Sequence, residues 1–91
     1  MIEMYYEKHM NSVAQFNNLS PAQSNAYEEF RKKVYKSSGL DSKWIELIAL
    51  GASFAIKCEY CIDSHSQKAR AHGATDKEIA AILWISTVVN V

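Results

Sequence analysis

Residues 42–73 read "SKWIELIALGASFAIKCEYCIDSHSQKARAHG". Beyond its first turn, the segment to Lys57 is apolar on nearly every face, which marks a helix buried in a domain or between subunits. Glu46 is the one charged residue inside that run and is conspicuous there. The segment that follows carries both cysteines of the chain, Cys58 and Cys61, with His65 four residues after the second. Gly73 closes it as a residue free to turn left-handed after a last helical turn. Two helices joined by a sharp reversal near Lys57 are therefore expected, and a helical fold with them.

Working outward, the chain continues as helices with short punctuation, and no stretch alternates in the manner of a strand. Tyr5, Met10, Val13 and Phe16 follow near-helical spacing over residues 3–16. "SPAQ" is a start signal, with Ser20 as N-cap, Pro21 at the first helical position and Gln23 at the capping-box position. Tyr27, Phe30 and Val34 then form one stripe on a helix running to about Lys36, which "SSGL" ends at Gly39. Asp41 or Ser42 opens the third helix. Thr75 and Glu78 form a second capping box that opens a last helix at Asp76. That helix shows no stop signal before Val91, which points to docking on a partner subunit or to a longer natural chain. The expected architecture is all-α, a compact bundle of about five helices in one domain over residues 1–91.

Composition narrows the function classes. Ten acidic and ten basic residues give a net charge of zero, with no basic block to bind nucleic acid. The opening "MIEMYYEKHM" has early acidic residues and no apolar centre, so it does not read as a signal peptide. The apolar stretch from Ile79 to Val91 is interrupted by Ser86, Thr87 and Asn90 and is too short to span a bilayer. A cytoplasmic protein with no membrane partner is the expectation. In that reducing compartment a purely structural disulfide is out of place, so the cysteine pair calls for another role. The chain is 48% hydrophobic, but at 91 residues it buries only about 60–65% of its unfolded surface, so other subunits are expected to cover part of it.

On a helix beginning near Cys58, Cys58, Cys61 and His65 stand at i, i+3 and i+7 on one face. The helix N-terminus stabilises a thiolate, and the imidazole one turn from Cys61 can take its proton. The second thiol can close a disulfide on the first. Glu46 is a fourth candidate, able to orient His65 and share its proton. Counted from a reversal at Lys57, Glu46 lies about 16–17 Å along one helix and His65 about 12 Å along the other. That mismatch of about one turn suits a water-bridged contact.

Other readings of the same residues stay open. The cysteines are small enough to be core residues, and Glu46 alone could pair with a basic side chain. Zinc would require Cys58, Cys61, His65 and His72, which spread along about 20 Å of one helix axis, too far for a single ion. Cys58, Cys61 and His65 with a distant fourth ligand would still suit zinc. His9 and His72 read as surface residues.

Glu46, eleven residues, then "CEYCIDSH" resembles the signature of the alkylhydroperoxidase D-like branch of the carboxymuconolactone decarboxylase family. The resemblance covers about residues 16–90. It implies an all-helical, single-repeat fold assembling as a homotrimer or homohexamer, and a redox activity that needs no cofactor. It implies Cys58 and Cys61 as the redox pair, His65 as the proton-relay histidine and Glu46 as the relay glutamate. One departure is Tyr60, which stands where some members have a second histidine and implies a shorter or slower relay. The implied function is a thiol–disulfide antioxidant reductase, acting on peroxides or regenerating a peroxiredoxin-type partner protein. In that scheme Cys61, the neighbour of His65, attacks and Cys58 resolves, or the roles reverse if Cys58 is the more exposed. The alternatives are a non-catalytic oligomeric helical module with a redox- or zinc-sensing cysteine pair, and, further off, a lactone decarboxylase. The last lacks support in a chain whose only arginines are Arg31 and Arg70.

Overall fold

The structure is a computed structural model that describes the backbone of residues 2–90 and the side chains of residues 10–90. The readings of Tyr5 and His9 lie outside the described side chains. The described residues form five helices and no strand, as the periodicity implies. They fall into two units, residues 1–40 and 41–91.

The first unit holds α1 (Ile2–Leu19) and α2 (Pro21–Ser37). Ser20 joins them. Its amide donates to the carbonyls of Phe16 and Asn17, at 3.1 and 3.3 Å, and its carbonyl accepts from Ser24 at 3.0 Å. The residue is the N-cap of α2, with Pro21 just inside the helix, but its side chain makes no capping bond. Its ψ of 62° departs from the extended value, 163° at Asp41, at which a cap side chain does reach the first turn. The capping box expected from Ser20 and Gln23 is therefore not formed. Tyr27, Phe30 and Val34 lie on α2 as the stripe implied, and all three are exposed.

The second unit holds α3 (Ser42–Ala55), α4 (Glu59–Ala71) and α5 (Asp76–Asn90), with α3 packed against both others. Asp41 caps α3 by accepting the Trp44 amide at 3.3 Å. Leu47 and Leu50, both fully buried, meet Ala69, Ala74 and Ile79, with Ile62, Ile82 and Leu83 packed around them. Burying each leucine contributes about 1.5–3 kcal/mol relative to leaving it in water. Gly51 lets α5 come close: a Cβ there would meet Ser86 Oγ at 3.3 Å, and that hydroxyl donates to the Gly51 carbonyl at 3.2 Å. Lys43 reaches across from α3 to Glu78 of α5 at 3.1 Å.

α3 is less enclosed than its composition suggests. Its buried residues are Glu46, Leu47, Leu50 and Ser53, a stripe at i, i+1, i+4 and i+7, whereas Trp44, Ile48 and Ile56 are exposed. Within this unit α4 and α5 pack against α3, whose buried residues form that one stripe. On α5, Trp84, Ile85, Val88 and Val89 are exposed as well. Among the described residues no helix is long and apolar enough to cross a membrane.

Candidate active site

The four residues singled out in the sequence come together at the turn between α3 and α4 and on the facing surfaces of those helices. α3 ends in the paired bonds of a Schellman motif: the Lys57 amide donates to Phe54 O and the Cys58 amide to Ser53 O, each at 3.1 Å. Lys57 occupies the left-handed position of that motif, with φ of 58°, and is the one non-glycine residue described there. Cys58 follows as an extended residue and is also the N-cap of α4. Its sulfur accepts the Cys61 amide at 3.2 Å, and its carbonyl accepts the Ile62 amide at 2.9 Å. Donor, acceptor and side chain of Cys58 are thus all engaged.

Cys58 and Cys61 are joined in a disulfide, with their Cα atoms 5.2 Å apart. Both residues are half-buried, as are Tyr60 and His65. Helix α4 begins at Glu59 rather than at Cys58, so the first sulfur sits at the mouth of the helix. The unpaired N–H groups of a first turn give that position partial positive charge.

On the facing helix Glu46 is buried, and its Oε2 lies 2.7 Å from His65 Nδ1. The contact is direct, where counting along the helices implied a gap of about one turn. The difference comes from where the turn closes. The bond from Cys58 to Ser53 fixes the register of the two helices, and Glu46 is seven residues before Ser53 as His65 is seven after Cys58. Each arm is about 10.5 Å at 1.5 Å per residue, so the two side chains meet at one level. Lys57 is the outermost point of the loop and not its point of closure.

With Glu46 ionised and the imidazole neutral, Nδ1 of His65 carries the hydrogen and Nε2 the lone pair. That tautomer can accept a proton from a thiol, and the carboxylate steadies the imidazolium formed. Cys61 is one helical turn before His65 on α4. No buried side-chain nitrogen or oxygen lacks a hydrogen-bond partner among the described residues. No three His, Cys, Asp or Glu residues among them gather as a metal site. Sequence reasoning missed two participants, Ser53 through its carbonyl and Lys57 through its backbone. Neither carries a side-chain signal for such a role.

Comparison with known proteins adds a family to this geometry. The model of the Carboxymuconolactone decarboxylase family matches residues 21–90. A Paracoccus denitrificans protein called uncharacterized protein 4 in cox locus is 31% identical over 62 residues, covering 68% of this chain and 56% of its own. The alkyl hydroperoxide reductase AhpD of Maricaulis maris is 34% identical over 62 residues, 68% of this chain and 36% of its own. AhpD of Hyphomonas neptunium is 35% identical over 60 residues, 66% of this chain and 33% of its own. The matched chain thus spans about half the length of the first relative and about a third of the other two. A crystal structure of a protein from Methanobacterium thermoautotrophicum has a TM-score of 0.78, covering 85% of this chain and 84% of that one. At 23% identity it shows the same fold. The chain belongs to the carboxymuconolactone decarboxylase family, and its likeness within that family is to the alkylhydroperoxidase D-like proteins.

Proposed function

We propose that the protein is a thiol–disulfide oxidoreductase that reduces hydroperoxides or the disulfide of a redox partner protein, working as a homo-oligomer in the cytoplasm. The observation that carries the reading is one continuous arrangement. A cysteine pair closed as a disulfide stands at the start of α4, and His65, one turn beyond Cys61, is hydrogen-bonded at 2.7 Å to the buried Glu46. The AhpD-like relatives supply the substrate class.

The Cys61 amide meets the Cys58 sulfur at 3.2 Å in the disulfide form, and the same donor would favour a thiolate at Cys58 once the pair is reduced. This favours Cys58 as the attacking sulfur, the reverse of the order expected first from the sequence, with His65 serving Cys61. The Cys58 thiolate attacks the distal oxygen of a hydroperoxide. An S–O bond forms, the O–O bond breaks, and the leaving alkoxide takes up a proton to become the alcohol. Cys61 passes its proton through His65 to the departing hydroxide and attacks the Cys58 sulfenic acid. The Cys58–Cys61 disulfide and water result. The dithiol has lost two electrons and the hydroperoxide has gained them. A dithiol reductant, by exchange through a mixed disulfide, restores both thiols. With a partner disulfide in place of the hydroperoxide, the same thiolate attacks sulfur and releases the partner as a dithiol.

Steady-state turnover of tert-butyl hydroperoxide with dithiothreitol as reductant tests the proposal. Turnover is expected in the unmodified protein and should be absent in Cys58→Ser, while Cys61→Ser should keep only the slow turnover in which dithiothreitol itself reduces the Cys58 sulfenic acid. Mixed-disulfide trapping with a small aromatic disulfide assigns the attacking sulfur: Cys61→Ser should form the adduct on Cys58 faster than Cys58→Ser forms one on Cys61. No turnover with either a hydroperoxide or a disulfide would overturn the reductase reading. One zinc bound per chain without redox cycling would replace it with a sensor.

A further inference from the structure

We propose that Lys57 is a positioning residue of the thiol centre and acts through its backbone. Its left-handed conformation seats the Cys58 sulfur on the Cys61 amide. Through the Cys58-to-Ser53 bond it also sets the register in which Glu46 meets His65. The inference rests on the reductase reading only for the use to which this geometry is put.

Three observations converge on it. Lys57 holds φ of 58° although it has a side chain, while the other left-handed residues described, at 39 and 73, are glycines. The residue after it donates to α3, accepts from α4 through its carbonyl, and caps α4 through its sulfur. A change at residue 57 therefore cannot be absorbed at Cys58 without giving up one of those bonds. The third is the equal seven-residue arms from Ser53 back to Glu46 and from Cys58 on to His65. Their equality holds only while the Cys58 amide bonds Ser53, a bond that needs the left-handed turn between them. Lys57 itself is exposed, so its backbone and not its packing carries the role.

Two explanations of a lysine here make different predictions. If the ammonium stabilises the Cys58 thiolate, any neutral replacement weakens it. If the backbone does the positioning, glycine keeps the effect and a β-branched residue, hostile to the left-handed region, loses it. The experiment follows the rate and pH profile of iodoacetamide alkylation at Cys58, in reduced protein carrying Cys61→Ser, whose amide is retained. Lys57→Val is expected to slow alkylation at neutral pH roughly tenfold, as a thiol pKa raised by about one unit would. Lys57→Gly should rescue the profile. Gly73→Val, which breaks the corresponding turn at the far end of α4, should leave it unmoved. Glu59 and His65 are unchanged in all three, so a shift traces to the turn.

A folded Lys57→Val protein with an unaltered profile overturns the proposal, and so does a Lys57→Gly protein slowed as much as the valine variant. Amide exchange in the unmodified reduced protein gives a test that does not depend on a variant folding. The Cys58 amide should exchange as slowly as the Ala74 amide, its counterpart at the other turn, and fast exchange at Cys58 overturns the proposal. None of these measurements uses peroxide or a partner. A protein that alkylates as expected yet turns over no peroxide sinks the reductase reading and leaves the role of Lys57 standing.

Discussion

At the end of α3 the amides of Lys57 and Cys58 return to Phe54 and Ser53, and at the end of α4 those of Gly73 and Ala74 return to Arg70 and Ala69. The two turns share one pattern of hydrogen bonds and differ in the residues that make it. At the second, glycine takes the left-handed position with φ of 95° and no cost in side-chain contacts. The residues joined across it, Ala69 and Ala74, both belong to the core. The next residue, Thr75, opens α5 with a complete capping box: its Oγ1 accepts the Glu78 amide at 3.1 Å and Glu78 accepts the Thr75 amide at 2.9 Å. At the first turn a lysine holds the left-handed position, which costs about 1–2 kcal/mol in a residue with a Cβ. The cap of α4 is a sulfur, a weaker acceptor than a hydroxyl. One turn is built for stability. The other gives up stability and gains a sulfur held at a helix mouth.

Replacing that sulfur separates the two roles of Cys58 and carries the largest expected effect. Cys58→Ser keeps a capping oxygen and removes the thiol, so peroxide turnover should fall by at least about 10³-fold. The reduced protein should then melt within about 1 kcal/mol of the unmodified one, since serine is a good N-cap. A serine variant that turned over normally would make the first turn as purely structural as the second. Next in size is Glu46→Gln, which keeps the shape of the side chain and removes the charge facing His65. Turnover is expected to fall about 10²-fold, the usual contribution of a positioned acid–base group, with little change in helix content. A Glu46→Gln protein with full turnover at neutral pH would remove Glu46 from the relay.

How each turn reads in the sequence follows from the same contrast. Gly73 as a stop, and Thr75 with Glu78 as a capping box, are visible because both use the residue types that the backbone geometry favours. So are the helices themselves, whose apolar spacing and start signals place all five. The α3–α4 turn hides its closure, because lysine is not a residue that announces a left-handed turn. Counting from Lys57 therefore left Glu46 and His65 a turn apart, where closure at Ser53 and Cys58 brings them to 2.7 Å. The cysteine pair, the histidine and the glutamate were legible as types at a spacing. Their register was not, because it depends on a carbonyl and a backbone angle that carry no side-chain signature. Ser20 makes the converse point: the residue type was right, but its ψ of 62° leaves the side chain without a capping bond.

Exchanging the left-handed residues sharpens the comparison at the level of stability. A Cβ at position 73 would meet nothing within 4 Å, so the cost of Gly73→Lys is conformational alone, about 1–2 kcal/mol. Lys57→Gly should shift stability the opposite way by about 1 kcal/mol, part of the relief being lost to the greater freedom of glycine in the unfolded chain. Urea melts of the two single variants and of the double exchange check this. The turns are about 16 residues apart in sequence and share no hydrogen bond, so the two effects are expected to add within about 0.5 kcal/mol. If Lys57→Gly destabilised the protein, the lysine would be contributing a native contact and the first turn would not be strained.

The smallest effect concerns the carboxylate that completes the second turn. The amide of Thr75 and then the ammonium of Lys43 hold Glu78 below its ordinary pKa of 4.5, and its side chain is half-buried beside Lys43. A carboxyl group whose folded pKa lies below its unfolded one binds protons more weakly in the folded state. Its contribution is therefore complete above about pH 4.5 and is lost as the pH falls through the lower folded value. The difference in stability between the unmodified protein and Glu78→Gln should be constant near neutral pH and shrink on acidification below that range. The first turn has no carboxylate at the equivalent place. Cys61, three residues after the Cys58 cap, stands where Glu78 stands relative to Thr75. A gap between the two proteins that persisted unchanged to pH 3 would mean that Glu78 contributes through shape and not charge, and the capping box would then be no more electrostatic than the sulfur cap it contrasts with.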